Sequence, residues 1–246
     1  LHFLGKMQIL RHWVPSAREL PLFSKLLEIL LQKLILTKLS YNELKYPMTE
    51  IAIIILAAGK SLRMRGLDKL TERINGIAQI RRITMAACKA FRRVFITVPE
   101  LTHPRVSFLL GLEVRIIPVG EVNFGMGSSI AAAIDEIQQK EIQGAMIVPA
   151  DMPELTQMDL KTVATAFESS PEAIIQAITP NGKKGHPVVF PRSTFENLRT
   201  LSGDEGARSI LRTYPSLIQY VTLPFSHAET DLDTPEEWQE WLSNFK

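Results

Sequence analysis

Ile51-Ala52-Ile53-Ile54-Ile55 is an unbroken aliphatic run, four of its five residues β-branched. A strand with one face in water alternates apolar and polar side chains. One that does not alternate is covered on both faces, as the central strands of parallel sheets are. The run therefore calls for a sheet with helices on either side. It empties into Leu56-Ala-Ala-Gly-Lys-Ser-Leu-Arg-Met-Arg-Gly-Leu-Asp-Lys69: two small residues and a glycine, then four cations at Lys60, Arg63, Arg65 and Lys69. Such a loop suits a polyphosphate. Gly59 lets backbone come close, successive N–H groups can face an anion, and the cations neutralise its charge. An ordinary strand-to-helix turn with a solvated basic face has the same composition, and the local pattern leaves the two readings level.

From residue 48 onward strands and helices alternate. Apolar runs predict strands at 51–56, 94–98, 113–118, 145–149, 173–179, 185–190 and 218–223. Helical spacing predicts helices at 77–92, 126–139, 158–168, 193–201, 207–214 and 234–245. This rhythm belongs to an α/β protein: a mostly parallel sheet between two layers of helices, in a three-layer Rossmann-like domain over 48–246. The strand at 188–190 follows its predecessor too closely for a helical crossover, so antiparallel pairing is expected there.

Residues 1–47 read as a helical N-terminal extension. Leucine and isoleucine dominate from Leu20 to Leu39, with Lys25, Glu28 and Gln32 at helical spacing, and Tyr46-Pro47 ends the pattern. The apolar face is too wide for water, so the helix would dock on the main domain, pair with a partner or lie on a membrane surface. Alternatively, because Met48 stands just before the first strand, these residues lie upstream of the functional chain and are not native to it. The extension holds seven Lys/Arg and three Asp/Glu, which leaves the body slightly acidic. The body's cations are local to one loop, so no nucleic-acid partner is expected. No apolar stretch is long enough to span a bilayer. The single cysteine, Cys88, excludes an internal disulfide and a Cys/His zinc site, as in a cytoplasmic chain.

In such folds ligands bind beyond the carboxyl ends of strands, so the segments after other strands should complement loop 56–69. After 145–149 comes Ala150-Asp151-Met152-Pro153, suited to hold Mg²⁺ against a polyphosphate, or an Asx turn before the next helix. After 113–118 comes Gly125-Met-Gly-Ser-Ser129, a helix start suited to a nucleotide or a plain serine cap. After 218–223 comes Asp231-Leu-Asp233-Thr-Pro-Glu-Glu237. Thr234, Pro235 and Glu237 read as a capping box, which leaves Asp231 and Asp233 over, one of them available as a second metal ligand. Gly182-Lys-Lys-Gly-His186-Pro and Ser202-Gly-Asp-Glu-Gly-Ala-Arg208 are two further polar segments, each a weak signal alone. No Cys/His or Ser/His pairing accompanies these motifs.

Taken in order, these motifs resemble the MobA-like nucleotidyltransferases, enzymes related to molybdenum cofactor maturation, over about residues 51–240. The cytidylyltransferase branch is the most similar. The resemblance implies a nucleotidyltransferase fold, Mg²⁺ as cofactor, and transfer of CMP from CTP to molybdopterin cofactor with release of pyrophosphate. A recipient molybdoenzyme is the further partner it implies. By the same resemblance the backbone of Leu56, Ala57, Ala58 and Gly59 reads the base, and Lys60, Ser61 and Arg63 hold the triphosphate. Lys69 touches the α-phosphate or the base, Ser129 lines the nucleotide pocket, and Asp151 and Asp233 bind the metal. Arg63, Lys69 and Asp151 form the catalytic set, while His186, Gly203, Asp204 and Arg208 face the pterin. Ala58 stands where the guanylyl branch more often has a second glycine. Met64-Arg65-Gly66 departs from the usual Met-Gly, and Asp-Met-Pro from the frequent Asp-Gln-Pro. Another NTP, a sugar or polyol phosphate acceptor, or a cofactor carrier are the alternatives.

Overall fold

β1 (Ile51–Leu56) runs inside a seven-stranded sheet in the order β5 (Arg115–Pro118), β4 (Arg93–Val98), β1, β6 (Gly144–Pro149), β8 (Lys184–Pro191), β7 (Ile174–Ile178) and β9 (Ile218–Thr222). The computed structural model describes residues 50–120, 125–137 and 141–244. The expected extension at 1–47 lies outside the described residues. After β1 come a hairpin of β2 (Arg73–Ile74) and β3 (Ile77–Ala78), then α1 (Gln79–Ala90), β4 (Arg93–Val98), β5 (Arg115–Pro118) and α2 (Met126–Glu136). The second half holds β6 (Gly144–Pro149), α3 (Gln157–Ser169), β7 (Ile174–Ile178), β8 (Lys184–Pro191), α4 (Phe195–Arg199), α5 (Arg208–Thr213), β9 (Ile218–Thr222) and α6 (Pro235–Asn244).

The aliphatic run does what its lack of alternation requires. Ile51, Ile53 and Ile55 face one core with Ile80 and Ile83 of α1 and Leu160 and Val163 of α3. Ala52 and Ile54 face the other, against Ile130 and Ile134 of α2 and Leu198 of α4. Every strand pairing in this sheet is parallel except those of β8, which is antiparallel to both β6 and β7. Antiparallel pairing was expected for 188–190, and the strand extends further in both directions, to Lys184 and Pro191.

Connection order places the site. The chain leaves β1 toward β4 and β5, then returns to β6 on the opposite side of β1. This reversal opens a crevice at the carboxyl ends of β1 and β6, the topological switch point where such sheets bind ligands.

Several boundaries shift by one to three residues from expectation, two helix ends among them. The helix expected from 77 starts at Gln79, because Arg73-Ile-Asn-Gly-Ile77 forms the hairpin instead. Asn75 (φ 50°) and Gly76 (φ 80°) take the positive angles a two-residue hairpin turn demands. The helix expected to reach 139 ends at Glu136, with Ile137 as its cap, and 138–140 lie outside the described residues. A third apolar cluster of Met64, Ile74, Leu232 and Trp238 fastens loop 56–69 and the hairpin to α6.

Candidate active site

Loop 56–69 leaves β1 without entering a long helix. Ser61 and Arg65 both take φ 51°, and Gly66 follows at 92°. Left-handed geometry is costly for a residue with a Cβ and signals a loop held from outside. The Met64-Arg65-Gly66 turn is accommodated in this way. Met64 is fully buried, and Arg65 swings out to pair with Glu236 of α6 at 2.8 Å.

At the end of the loop Lys69 reaches across the crevice. Its ammonium donates to Asp151, just beyond β6, and to Asp233 Oδ1 at 2.5 Å, just before α6. Arg63 donates to the other oxygen of Asp233 at 2.5 Å. The Lys69, Asp151 and Asp233 side chains are 14%, 18% and 25% exposed, against 73% for Arg63. Solvent therefore screens the Lys69 pairs less than the Arg63 pair. Burial works against the Lys69 charge, but the two carboxylates outweigh it and hold its pKa above the ordinary lysine value. Asp231 is pushed up, first by burial and then by the charges of Asp151 and Asp233.

The loops that carry the acids are themselves fixed. Ala150 N–H donates to Leu56 O at 3.1 Å, Gln79 Nε2 to Ala150 O at 2.9 Å, and Arg82 Nη2 to Pro153 O at 3.2 Å. Glu237 Oε2 accepts from the backbone of Asp233 (2.7 Å) and Thr234 (3.0 Å), so the expected capping box also aims Asp233.

A divalent cation fits this arrangement. Asp151 Oδ1 is buried with no hydrogen-bond partner, and Asp151 and Asp233 already share one cation, the Lys69 ammonium. Among the described residues no group of three or more His, Cys, Asp or Glu side chains converges. Mg²⁺ asks for less: one or two carboxylates, with phosphate oxygens and water completing its shell.

On the other side of the crevice, the two glycine segments are one unit. Gly127 N–H donates to Gly203 O at 2.8 Å. A Cβ on Gly125 would lie 2.3 Å from the Gly203 carbonyl, and one on Gly127 2.7 Å from Ser202 O. Ser129 is buried and its hydroxyl donates back to Gly125 O at 3.1 Å, so it closes the first turn of α2. Gly203, Asp204 and Arg208 are exposed on the rim. His186 is tied through its N–H to Ala228 O at 2.8 Å, a close approach that Gly185 permits, since a Cβ there would meet Ala228 O at 1.8 Å. Burial pushes the His186 imidazole below the ordinary histidine value, against the nearby charge of Asp151, while Arg208 adds to the downward push. Its Nδ1 is buried without a hydrogen-bond partner.

Of the expected residues, Arg63, Lys69, Asp151 and Asp233 thus meet directly, and His186 stands within electrostatic reach of both Asp151 and Arg208. Ala57 is taken up internally: its N–H donates to Thr97 O at 3.1 Å and its carbonyl accepts from Arg105 Nη1 at 2.5 Å. Ala58, half-buried, and Gly59 and Lys60, exposed, face outward on the loop. Asp68 and Arg105 were missed by sequence reasoning. The available signal was Thr102-His-Pro-Arg105, a proline-opened turn after β4, the strand beside β1; nothing in it reveals that its arginine is buried.

The chain aligns with the purine catabolism protein PucB of Bacillus subtilis (strain 168) at 28% identity over 197 residues, covering 75% of this chain and 92% of that one. It superposes on Rv0371c from Mycobacterium tuberculosis H37Rv with a TM-score of 0.66 at 21% identity, over 79% of this chain and 98% of the other. A manganese complex of Rv0371c gives 0.65 at 18% identity, over 79% and 99%. CMP:2-keto-3-deoxy-manno-octonic acid synthetase complexed with CTP gives 0.63 at 12% identity, over 80% and 98%, and these structures share the fold. The model of the MobA-like NTP transferase domain matches residues 53–219, and the chain belongs to that family of nucleotidyltransferases.

Proposed function

We propose that this protein transfers CMP from CTP to the terminal phosphate of molybdopterin cofactor, with Mg²⁺, and releases pyrophosphate. The observation that carries the reading is Lys69 held between Asp151 and Asp233, with Asp151 Oδ1 still unpartnered. A bound Mg²⁺ would supply Lewis-acid stabilisation of charge on the α-phosphate and pyrophosphate. Asp151 and Asp233 are the residues that would hold it. Both reactants are anions, so the chain must suppress their repulsion. Lys69, kept charged by its two carboxylates, offers an ammonium where charge builds during in-line displacement. Arg63, pinned at its tip to Asp233, and exposed Lys60 extend the positive surface along the leaving group. An attacking phosphate needs no protein nucleophile. His186, close enough to feel the charges of Asp151 and Arg208, would stand on the side of the incoming substrate. Ala58, with a methyl where a glycine would leave more room, favours a pyrimidine.

A molybdoenzyme that takes up the product is the recipient partner proposed here, and the similar PucB is named for purine catabolism. A sugar-acid or polyol phosphate acceptor is the competing reading, because the fold is shared with CMP:2-keto-3-deoxy-manno-octonic acid synthetase. Pyrophosphate release measured with CTP, GTP and ATP, with and without molybdopterin cofactor and Mg²⁺, decides between them. Release that requires CTP, cofactor and metal together is expected. Release with GTP alone among the nucleotides overturns the base assignment, and release without the pterin but with a polyol phosphate overturns the acceptor.

A further inference from the structure

One arginine outside every motif above controls the shape of loop 56–69. Arg105 lies in the helical turn Pro104–Leu109 that follows β4, and it is 2% exposed. A guanidinium is rarely buried so fully unless its N–H groups are spent on fixed partners. Here they are. Nε donates to Asp68 Oδ2 at 2.6 Å and Nη2 to Asp68 Oδ1 at 2.7 Å, a bidentate pair. Nη2 also donates to Ser61 Oγ at 3.1 Å, and Nη1 to Ala57 O at 2.5 Å. One planar group thus grips the loop at its beginning, its middle and the residue before Lys69. Asp68 closes the ring by accepting from Ser61 Oγ at 3.3 Å and Leu70 N–H at 3.1 Å.

We infer that Arg105 is a positioning residue for the nucleotide: it holds the loop as a closed cradle, so that Ala58–Lys60 face the ligand and Lys69 is delivered to Asp151. Three features support this over a merely stabilising role. Among the described residues, every hydrogen bond of the guanidinium goes to the binding loop. Ser61, one of the gripped residues, holds a left-handed backbone that the grip sustains. The fork matches four acceptor atoms on three residues at fixed angles, which a lysine cannot do. The inference rests on the nucleotide reading of the crevice, and the experiment separates the two.

Binding of Mg·CTP, Mg·GTP and Mg·ATP is measured by calorimetry on the wild-type chain and on R105K and D68N, alongside thermal melting and steady-state kinetics. R105K keeps the charge and loses the fork; D68N keeps the shape and loses the ionic partner. A loop displaced by about an ångström is expected to weaken nucleotide binding roughly 10- to 100-fold, raising the nucleotide KM while the acceptor KM stays put. If R105K does not fold, D68N carries the same expectation. Variants that melt cooperatively yet bind nucleotide as the wild type does overturn the clamp while leaving the site reading intact. A wild-type chain that binds none of the three nucleotides overturns the site reading and the clamp with it.

Discussion

Loop 56–69 is fastened to the rest of the molecule mostly by charged side chains, with Met64 as its apolar anchor, whereas segments 125–129 and 202–208 are fastened to each other mostly by backbone. In the first, Arg105 grips Asp68, Lys69 spans Asp151 and Asp233, and Arg65 meets Glu236. In the second, Gly125 and Gly127 lie so close to Ser202 and Gly203 that no Cβ fits. The difference suits two different ligands. An anion is best met by charges already fixed in place, because they need not reorganise when it arrives. Close backbone packing instead sets the shape of a rim and leaves its side chains, Asp204 and Arg208, exposed toward whatever docks there.

The sharpest way to break this comparison is Asp151→Asn. The change keeps size and removes both a Lys69 partner and the unpaired carboxylate oxygen proposed for the metal. Turnover should fall roughly 10³-fold with any acceptor, on the scale of losing one fixed electrostatic group in an active site. Backbone contacts such as Leu232 N–H to Asp151 O at 3.4 Å are untouched, so the melting curve should stay cooperative. Near-normal pyrophosphate release would mean that the charges of this half only hold the fold.

Gly125→Ala tests the other half. Its Cβ would lie 2.3 Å from the Gly203 carbonyl, in a backbone at φ 122° that L side chains rarely adopt. Backbone must then shift on one side or both, at a cost of about 3 kcal/mol by overpacking and strain. Segment 202–208 stands on the side proposed for the acceptor, and the Ser129 hydroxyl is spent on Gly125 O rather than on the nucleotide expected there, so nucleotide affinity should change little while the acceptor KM rises, as urea unfolding and two-substrate kinetics would report. Equal losses for both substrates would show the two halves to be a single mechanical unit.

How much of this could be read beforehand follows the same division. The sheet and its cover were legible because Ile51–Ile55 has no polar alternation and nothing else explains it. The antiparallel β8 was legible from the length of the connection alone. The capping boxes at Thr156–Asp159 and Thr234–Glu237 are local chemistry, and the second was read correctly. The β2–β3 hairpin was equally local, since Asn75-Gly76 is a strong turn signal, but the helical spacing that starts beside it absorbed Ile77. The meeting of Arg63, Lys69, Asp151 and Asp233 followed from placing each beyond a strand end or at the last helix. Arg105 did not follow, because burial of an arginine depends on partners 37 to 48 residues away and leaves no periodic trace. The close approach of Gly125 to Gly203 was hidden for a similar reason: a glycine shows that backbone can come near, never which backbone comes.

The smallest effect concerns pH, and it should touch only the charged half. Burial raises the Asp68 pKa, but the hydrogen bonds and charge of Arg105 outweigh it, and the folded value lies below the ordinary one. At acid pH the folded state therefore binds fewer protons than the unfolded state, and stability rises with pH through that window. The contribution is fully present above the unfolded aspartate value of roughly 3.9 and is lost as pH falls toward the folded one. Asp68→Asn removes the titration. At neutral pH the variant should be less stable than the wild type by about 1–2 kcal/mol, the scale of a hydrogen-bonded charge. Below about pH 4 the gap should narrow, while the gap between wild type and Gly125→Ala should hold, because no titrating group takes part in that contact. Chemical unfolding of the three proteins from neutral to acid pH would measure both gaps. A Gly125→Ala gap that closes in step with the Asp68→Asn gap would mean that the glycine contact depends on the charged loop, and the division between the two halves would fail.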